Sequence, residues 1–226
     1  MVAYGAAAVI SGCSDGNLDT FEVVRSEGGQ AGAESAGGRG GGVGATGAGQ
    51  SGGAGIATEK GALFIDDFED QDNAVQPDGW WYAIDDGTGP LAQMTFDAVT
   101  DRGDSRFAVH VAAGPTSGYG SFLGLDLPGP IFDASDFYAL SFWARMEPAG
   151  EVSVRFQTAR VTQFEQVRAL DAVWREVRLP LAEFVPVDDG GGAIALNELT
   201  HLQLWVPDTQ PAYDLYVDDV WLLREP

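Results

Sequence analysis

The chain has 226 residues, a formal net charge of -22 and a pI near 4.1. So acidic a balance argues against nucleic acid as a partner, because a polyanion would be repelled. One cysteine leaves no disulfide framework within the chain, and no run reaches the ~18 apolar residues that a membrane-spanning helix needs.

That cysteine closes the first segment, Ala6-Ala7-Ala8-Val9-Ile10-Ser11-Gly12-Cys13. Ile10-Ser11-Gly12-Cys13 resembles the lipobox of a bacterial lipoprotein signal peptide: a branched apolar residue, two small ones, then the cysteine that is acylated. The match covers residues 1–13 and departs from the pattern in having no Lys or Arg before the apolar run. The resemblance implies a lipid anchor on Cys13 that holds the protein at the bacterial cell envelope, on the outer membrane or the cell surface. The alternative is a chance cysteine after small residues. Residues 14–61 read as a linker, because half of residues 28–55 are glycine and most of the others are Ala, Ser, Gln and Thr. Such a stretch buries too little apolar surface to offset its ordering entropy and is expected as a disordered tail. Anchor and tether together would hold a folded head away from a membrane while letting it sweep the nearby volume.

From residue 62 to 226 the texture changes to short alternating runs separated by turn residues, as in an all-β sandwich. Leu63-Phe64-Ile65-Asp66-Asp67-Phe68-Glu69-Asp70 reads as an opening acidic strand. Residues 80–84 (Trp80-Trp81-Tyr82-Ala83-Ile84) follow the Pro77-Asp78-Gly79 turn, and residues 92–99 and 106–113 form a hairpin with Phe107, Val109 and Val111 on one face. Further strands are expected over 119–127, 138–145, 151–158, 174–181 and 201–206. The last strand, Leu215-Tyr216-Val217-Asp218-Asp219-Val220, carries a second pair of adjacent carboxylates. Only 133–137 and 195–199 suggest short helical turns. The first and last strands are expected side by side, with their carboxylates meeting.

Leu140-Ser141-Phe142-Trp143-Ala144-Arg145, Trp174-Arg175-Glu176-Val177-Arg178-Leu179-Pro180-Leu181 and Leu215-Tyr216-Val217-Asp218-Asp219-Val220 occur in that order. They resemble the recurrent strands of jelly-roll carbohydrate-binding modules of the galactose-binding-like superfamily. Ile65-Asp66-Asp67-Phe68-Glu69-Asp70, followed by Trp81-Tyr82 and Asp85-Asp86-Gly87-Thr88, is most similar to family-11 modules. The resemblance spans residues 63–223 and implies a jelly-roll sandwich that binds β-glucans or other glycans on a concave face. It also implies a structural calcium near the strand termini. Its ligands, on the family pattern, would be Asp67 or Asp66 with Glu69 from the first strand, and Asp219 with Asp218 from the last. Alternation lets one member of each Asp pair face a shared ion, which favours Glu69 and Asp219. Otherwise these carboxylates cap turns and solvate a sheet edge.

A glycan site needs flat aromatic faces and planar hydrogen-bonding groups. With Leu140, Phe142 and Ala144 inward, Trp143 and Arg145 face out; by the same reasoning Arg155 and Gln157 face out, as do His201, Gln203 and Trp205. Three strands are therefore expected to build one exposed wall from Trp143, Arg145, Arg155, Gln157, Gln203 and Trp205, unless Trp143 is covered by a loop. Tyr82 and Tyr119, with Trp80 and Trp81, either extend this platform or plug the end of the sandwich. Catalysis has little support: His110 and His201 show no ligand spacing, and there is no Gly-x-Ser-x-Gly elbow. The expected protein is a monomeric, non-catalytic polysaccharide binder. The alternatives are an envelope adhesion or protein-interaction module of the same fold, and an accessory subunit of a glycoside hydrolase.

Overall fold

The computed structural model describes residues 58–59, 61–188 and 192–224. Cys13, with its lipobox, and the glycine-rich tract 28–55 lie outside the described residues. In chain order the strands are β1 (Thr58–Glu59), β2 (Ala62–Asp66), β3 (Ala74–Val75), β4 (Gly79–Asp85), β5 (Gln93–Ala98), β6 (Phe107–Ala113) and β7 (Ser121–Asp126). They continue as β8 (Ala139–Glu147), β9 (Gly150–Thr158), β10 (Gln163–Leu170), β11 (Arg175–Pro180), β12 (Val185–Pro186), β13 (Leu199–Val206) and β14 (Tyr213–Leu223). Short 3-10 turns stand at Leu181–Glu183 and Leu196–Glu198. The second falls within an expected helical stretch, whereas residues 133–137 hold only a turn.

All strand pairs are antiparallel and form two sheets. In the first sheet β8 lies between β11 and β14, while the far edge of β14 is shared by β6–β5 and β2–β1. The second runs β12-β10-β9-β13-β7-β4-β3. The inner faces meet in one apolar core that joins Leu140, Phe142, Val217 and Leu222 of the first sheet to Trp81, Leu125, Phe156 and Leu202 of the second. This is a β-sandwich, as the alternating runs suggest, with the jelly-roll architecture that the family resemblance implies.

β14 does indeed lie beside β2, with Val220 opposite Asp66 and Trp221 opposite Phe64. Two features depart from the sequence reading. First, β2 stops at Asp66, because four aspartates in succession turn the chain: the carboxylates of Asp66, Asp67, Asp70 and Asp72 accept the backbone N–H groups of Phe68, Glu69, Asp72 and Ala74. Glu69 therefore sits on a loop and strand alternation does not govern it. Second, the β14 ladder shifts register between Asp218 and Trp221, and Asp219 lies at φ 48°. Tyr213, Leu215 and Val217 are buried on one side of this bulge, and Val220 and Leu222 on the other. The extra residue lets Asp218 and Asp219 approach the same partner, which a regular strand forbids. The strand β1 also lies inside the stretch 14–61 read as linker, where it pairs with β2.

Candidate functional site

The expected single wall is two faces on opposite sides of the sandwich. β8, which carries Trp143 and Arg145, belongs to the first sheet; β9 and β13, which carry Arg155, Gln157, Gln203 and Trp205, belong to the second. The β8–β9 connection crosses between sheets, and outward alternation on either strand reads the same in the sequence.

On the outer face of the second sheet, side chains align in three rows across β4, β7, β13, β9 and β10. The middle row is Tyr82, Gly124, Gln203, Arg155 and Glu165. On one side runs Ile84, Phe122, Trp205, Ser153 and Val167; on the other runs Trp80, Asp126, His201, Gln157 and Gln163. An apolar and aromatic stripe thus lies beside a polar one, the pairing that a sugar ring with an apolar face and a hydroxyl edge requires. Tyr82 and Gln203 meet in the middle row because Gly124 leaves room. A Cβ at Gly124 would stand 2.6 Å from Cε2 and Cζ of the Tyr82 ring, well inside van der Waals contact. Burial, then the nearby Asp126 charge, push the Tyr82 phenol well above its ordinary range, while a hydrogen bond with Gln203 pulls the other way. The phenol therefore stays protonated and able to donate.

Arg155 is held in place by its neighbours. Its Nε donates to Ser153 Oγ at 3.0 Å and to Glu165 Oε2 at 3.1 Å, and its guanidinium lies 4.7 Å from the Trp205 ring centre. Trp205 stacks on Phe122 at 4.4 Å, meets Tyr119 edge-on at 5.4 Å and donates its indole N–H to Gln203. Tyr119, Ser153, Arg155, Glu165, Val167 and Trp205 line a cleft of about 240 Å³. Tyr119 is not on a strand but on the loop before β7, 46% exposed. Asp86 fixes that loop by accepting the N–H groups of Gly118 and Gly120 together with that of Thr88. Against the cost of burial, the Thr88 hydroxyl and these N–H groups hold the Asp86 carboxyl at about 2. Of the expected platform, Trp80 is half exposed at one end of the face, whereas Trp81 is fully buried and donates to Asp66 Oδ2 at 3.0 Å.

The outer face of the first sheet is built differently. Arg145, Tyr216, His110 and Thr95 form one row across β8, β14, β6 and β5. The His110 ring stacks on Tyr216 at 4.2 Å with 4° between planes, and the Arg145 guanidinium lies 4.3 Å from Tyr216 and 5.2 Å from Trp174. The Trp143 ring is covered by the Arg102 guanidinium at 4.0 Å. Planar groups here stack on one another, as Phe122, Trp205 and Arg155 do on the opposite face.

Around the junction of β2 and β14, Asp67, Glu69, Arg102, Asp104, Ser105 and Asp219 line a second cleft of about 380 Å³. Several of its carboxylate oxygens are engaged by protein donors, whereas the buried Asp218 Oδ2 has an ion-pair neighbour in Arg102 but no hydrogen-bond partner. Glu69 accepts the N–H groups of Arg106 and Phe107 and the Arg106 guanidinium, which hold its carboxyl below the ordinary range in spite of burial. Arg102 pairs with both Asp218 and Asp219. Asp218 is fully buried, and burial pushes its carboxyl up to about 6 even so. Among the described residues no three His, Cys, Asp or Glu side chains are grouped to hold a metal ion. Of the expected calcium ligands, Asp67, Glu69 and Asp219 line this one cleft, and Asp218 lies buried beside Arg102.

Sequence reasoning missed Glu165, Val167, Phe122 and Gly124. Glu165 and Val167 lie on β10, whose only buried side chains are Phe164, Gln166 and Leu170. Buried Gln166, which donates to the Pro180 carbonyl at 2.7 Å, breaks the apolar alternation that marks a strand. Gly124 carried a signal of its own, a lone glycine inside a strand pattern, which marks close approach by a neighbour.

No family model and no curated protein matches the chain. Solved structures do share its fold. The family 11 carbohydrate-binding module from Clostridium thermocellum, in complex with a beta-1,3-1,4-mixed-linked tetrasaccharide, is 17% identical with a TM-score of 0.52, covering 74% of this chain and 97% of that one. The family 11 module of a cellulosomal cellulase of Clostridium thermocellum is 16% identical with a TM-score of 0.53 over 74% and 97% of the two chains. An exo-beta-agarase is 13% identical with a TM-score of 0.54, covering 72% of this chain and 26% of that one. At such identities the likeness is one of architecture: the head has the jelly-roll fold of carbohydrate-binding modules.

Proposed function

We propose that the head is a non-catalytic carbohydrate-binding module that takes a polysaccharide across the outer face of its second sheet. The observation that carries this reading is the middle row Tyr82, Gly124, Gln203, Arg155 and Glu165, lying beside the aromatic stripe of Phe122 and Trp205. Its donors and acceptors are fixed by neighbouring side chains, so little ordering entropy remains to be lost when hydroxyls bind. Gln157, Gln203, Arg155 and Tyr82 would grip hydroxyls, while Trp205 and Tyr119 take the apolar side of a ring. Glu165 is tied to Arg155 and Ser153, which suits hydrogen bonding better than proton transfer. The module of like fold that holds a mixed-linked β-glucan tetrasaccharide makes soluble β-1,3-1,4-glucan the first ligand to try, with agarose second. For the whole chain, the lipobox-like Ile10-Ser11-Gly12-Cys13 supports an acyl anchor on Cys13, with the head displayed on a tether at the cell envelope.

Amide chemical shifts of the isotope-labelled protein, titrated with soluble β-glucan and agaro-oligosaccharides, test the face. Shifts should concentrate on β4, β7, β13 and β9 and on the Tyr119 loop. Shifts confined to β8 and β14 would overturn the placement. If no glycan moves any resonance, the envelope adhesion reading takes precedence.

A further inference from the structure

The junction of the first and last strands gathers Asp67, Glu69, Asp104 and Asp219 around one cleft, with fully buried Asp218 beneath. So much negative charge in one partly desolvated place needs a counter-charge. Arg102, on the loop between β5 and β6, is the group that enters it. Its side chain is only 12% exposed, its guanidinium covers the Trp143 ring at 4.0 Å, and its Nε stands 3.4 Å from Asp218 Oδ2. A second guanidinium nitrogen bonds Asp219 Oδ2. The β14 bulge turns both carboxylates toward this one cation, and Trp143 closes the other side.

We propose that Arg102 is the resident cation of this junction, a covalently attached counter-ion that makes the head's folding independent of calcium. A planar guanidinium keeps its charge at any working pH and spans two carboxylates at once, which suits a buried role. The loop between β5 and β6 is thereby fastened to β8 and β14, its Asp101 adding bonds to Trp174 Nε1 and Arg145. The inference is independent of any glycan.

Thermal melting of the full chain tests it in two arms. In the first, the wild-type protein is melted in chelator and in millimolar calcium; the midpoints should coincide within about 1 °C, and a rise of several degrees with calcium would overturn the proposal, since a ligand bound by the native state alone raises stability. In the second, Arg102→Gln is compared with Asp218→Asn/Asp219→Asn and with the triple variant. Arg102→Gln should lower the midpoint by roughly 5–10 °C, and removing both aspartates should relieve most of that loss. A loss that is unchanged without the aspartates would mean that Arg102 acts by packing on Trp143, and would overturn the proposal, as would no loss at all. If Arg102→Gln alone does not fold, a folded triple variant supports the proposal and an unfolded one contradicts it.

Discussion

At the scale of single residues, the candidate face depends on one absence. Gly124 has no side chain, so the Tyr82 ring lies across β7 with Cε2 only 2.6 Å from where a Cβ would stand. Gly124→Ala must displace that ring, and with it the phenol that reaches Gln203. Glycan retention should fall about tenfold, equivalent to about 1.4 kcal/mol, with the fold intact by circular dichroism. Retention equal to wild type would show that the Tyr82 position is not used. Arg155 illustrates the complementary case: it was legible as an outward arginine, but its fastening by Glu165 and Trp205 was not, because those partners come from two other strands.

At the scale of elements, alternation located the inward and outward sides of β8, β9 and β13 correctly, and the neighbourhood of β2 and β14 followed from their matching acidic pairs. What alternation cannot carry is sheet membership. β8 and β9 are joined by a short turn and read alike, yet the chain crosses from one sheet to the other between them. The carboxylates meet as expected, but their local geometry was misread for a related reason. Reading Asp66 to Asp70 as strand overlooked how readily aspartate side chains cap backbone N–H groups and turn the chain, and reading β14 as regular overlooked that Asp tolerates a positive φ. β10 was missed since its inward side alternates Phe164, Gln166 and Arg168, not three apolar residues.

At the scale of the molecule, two buried carboxylates contribute to how stability responds to pH. Burial, opposed by the Phe68 N–H, raises the Asp66 carboxyl to about 7, and burial raises Asp218 to about 6. Both lie above the ~3.9 of an unfolded aspartate, so the native state holds more protons than the unfolded chain between about pH 4 and 7. Stability from these groups is fully present below pH 4 and is lost as pH rises through 6 to 7. Asp86, held at about 2, acts oppositely, and its contribution is lost as pH falls from about 4 toward 2. The melting midpoint should therefore peak in the mildly acidic range and decline toward pH 8. A midpoint that rises steadily from pH 5 to 8 would contradict this assignment.

The central claim is that ligand meets the second sheet and not the first. The most direct measurement compares retention of Trp205→Ala and Trp143→Ala in gels containing mixed-linked β-glucan, with melting recorded for each. Trp205→Ala should lose at least tenfold in affinity, while Trp143→Ala, which uncovers Arg102 on the opposite face, should melt lower and bind as wild type does. Loss of retention in Trp143→Ala with Trp205→Ala unaffected would contradict the account.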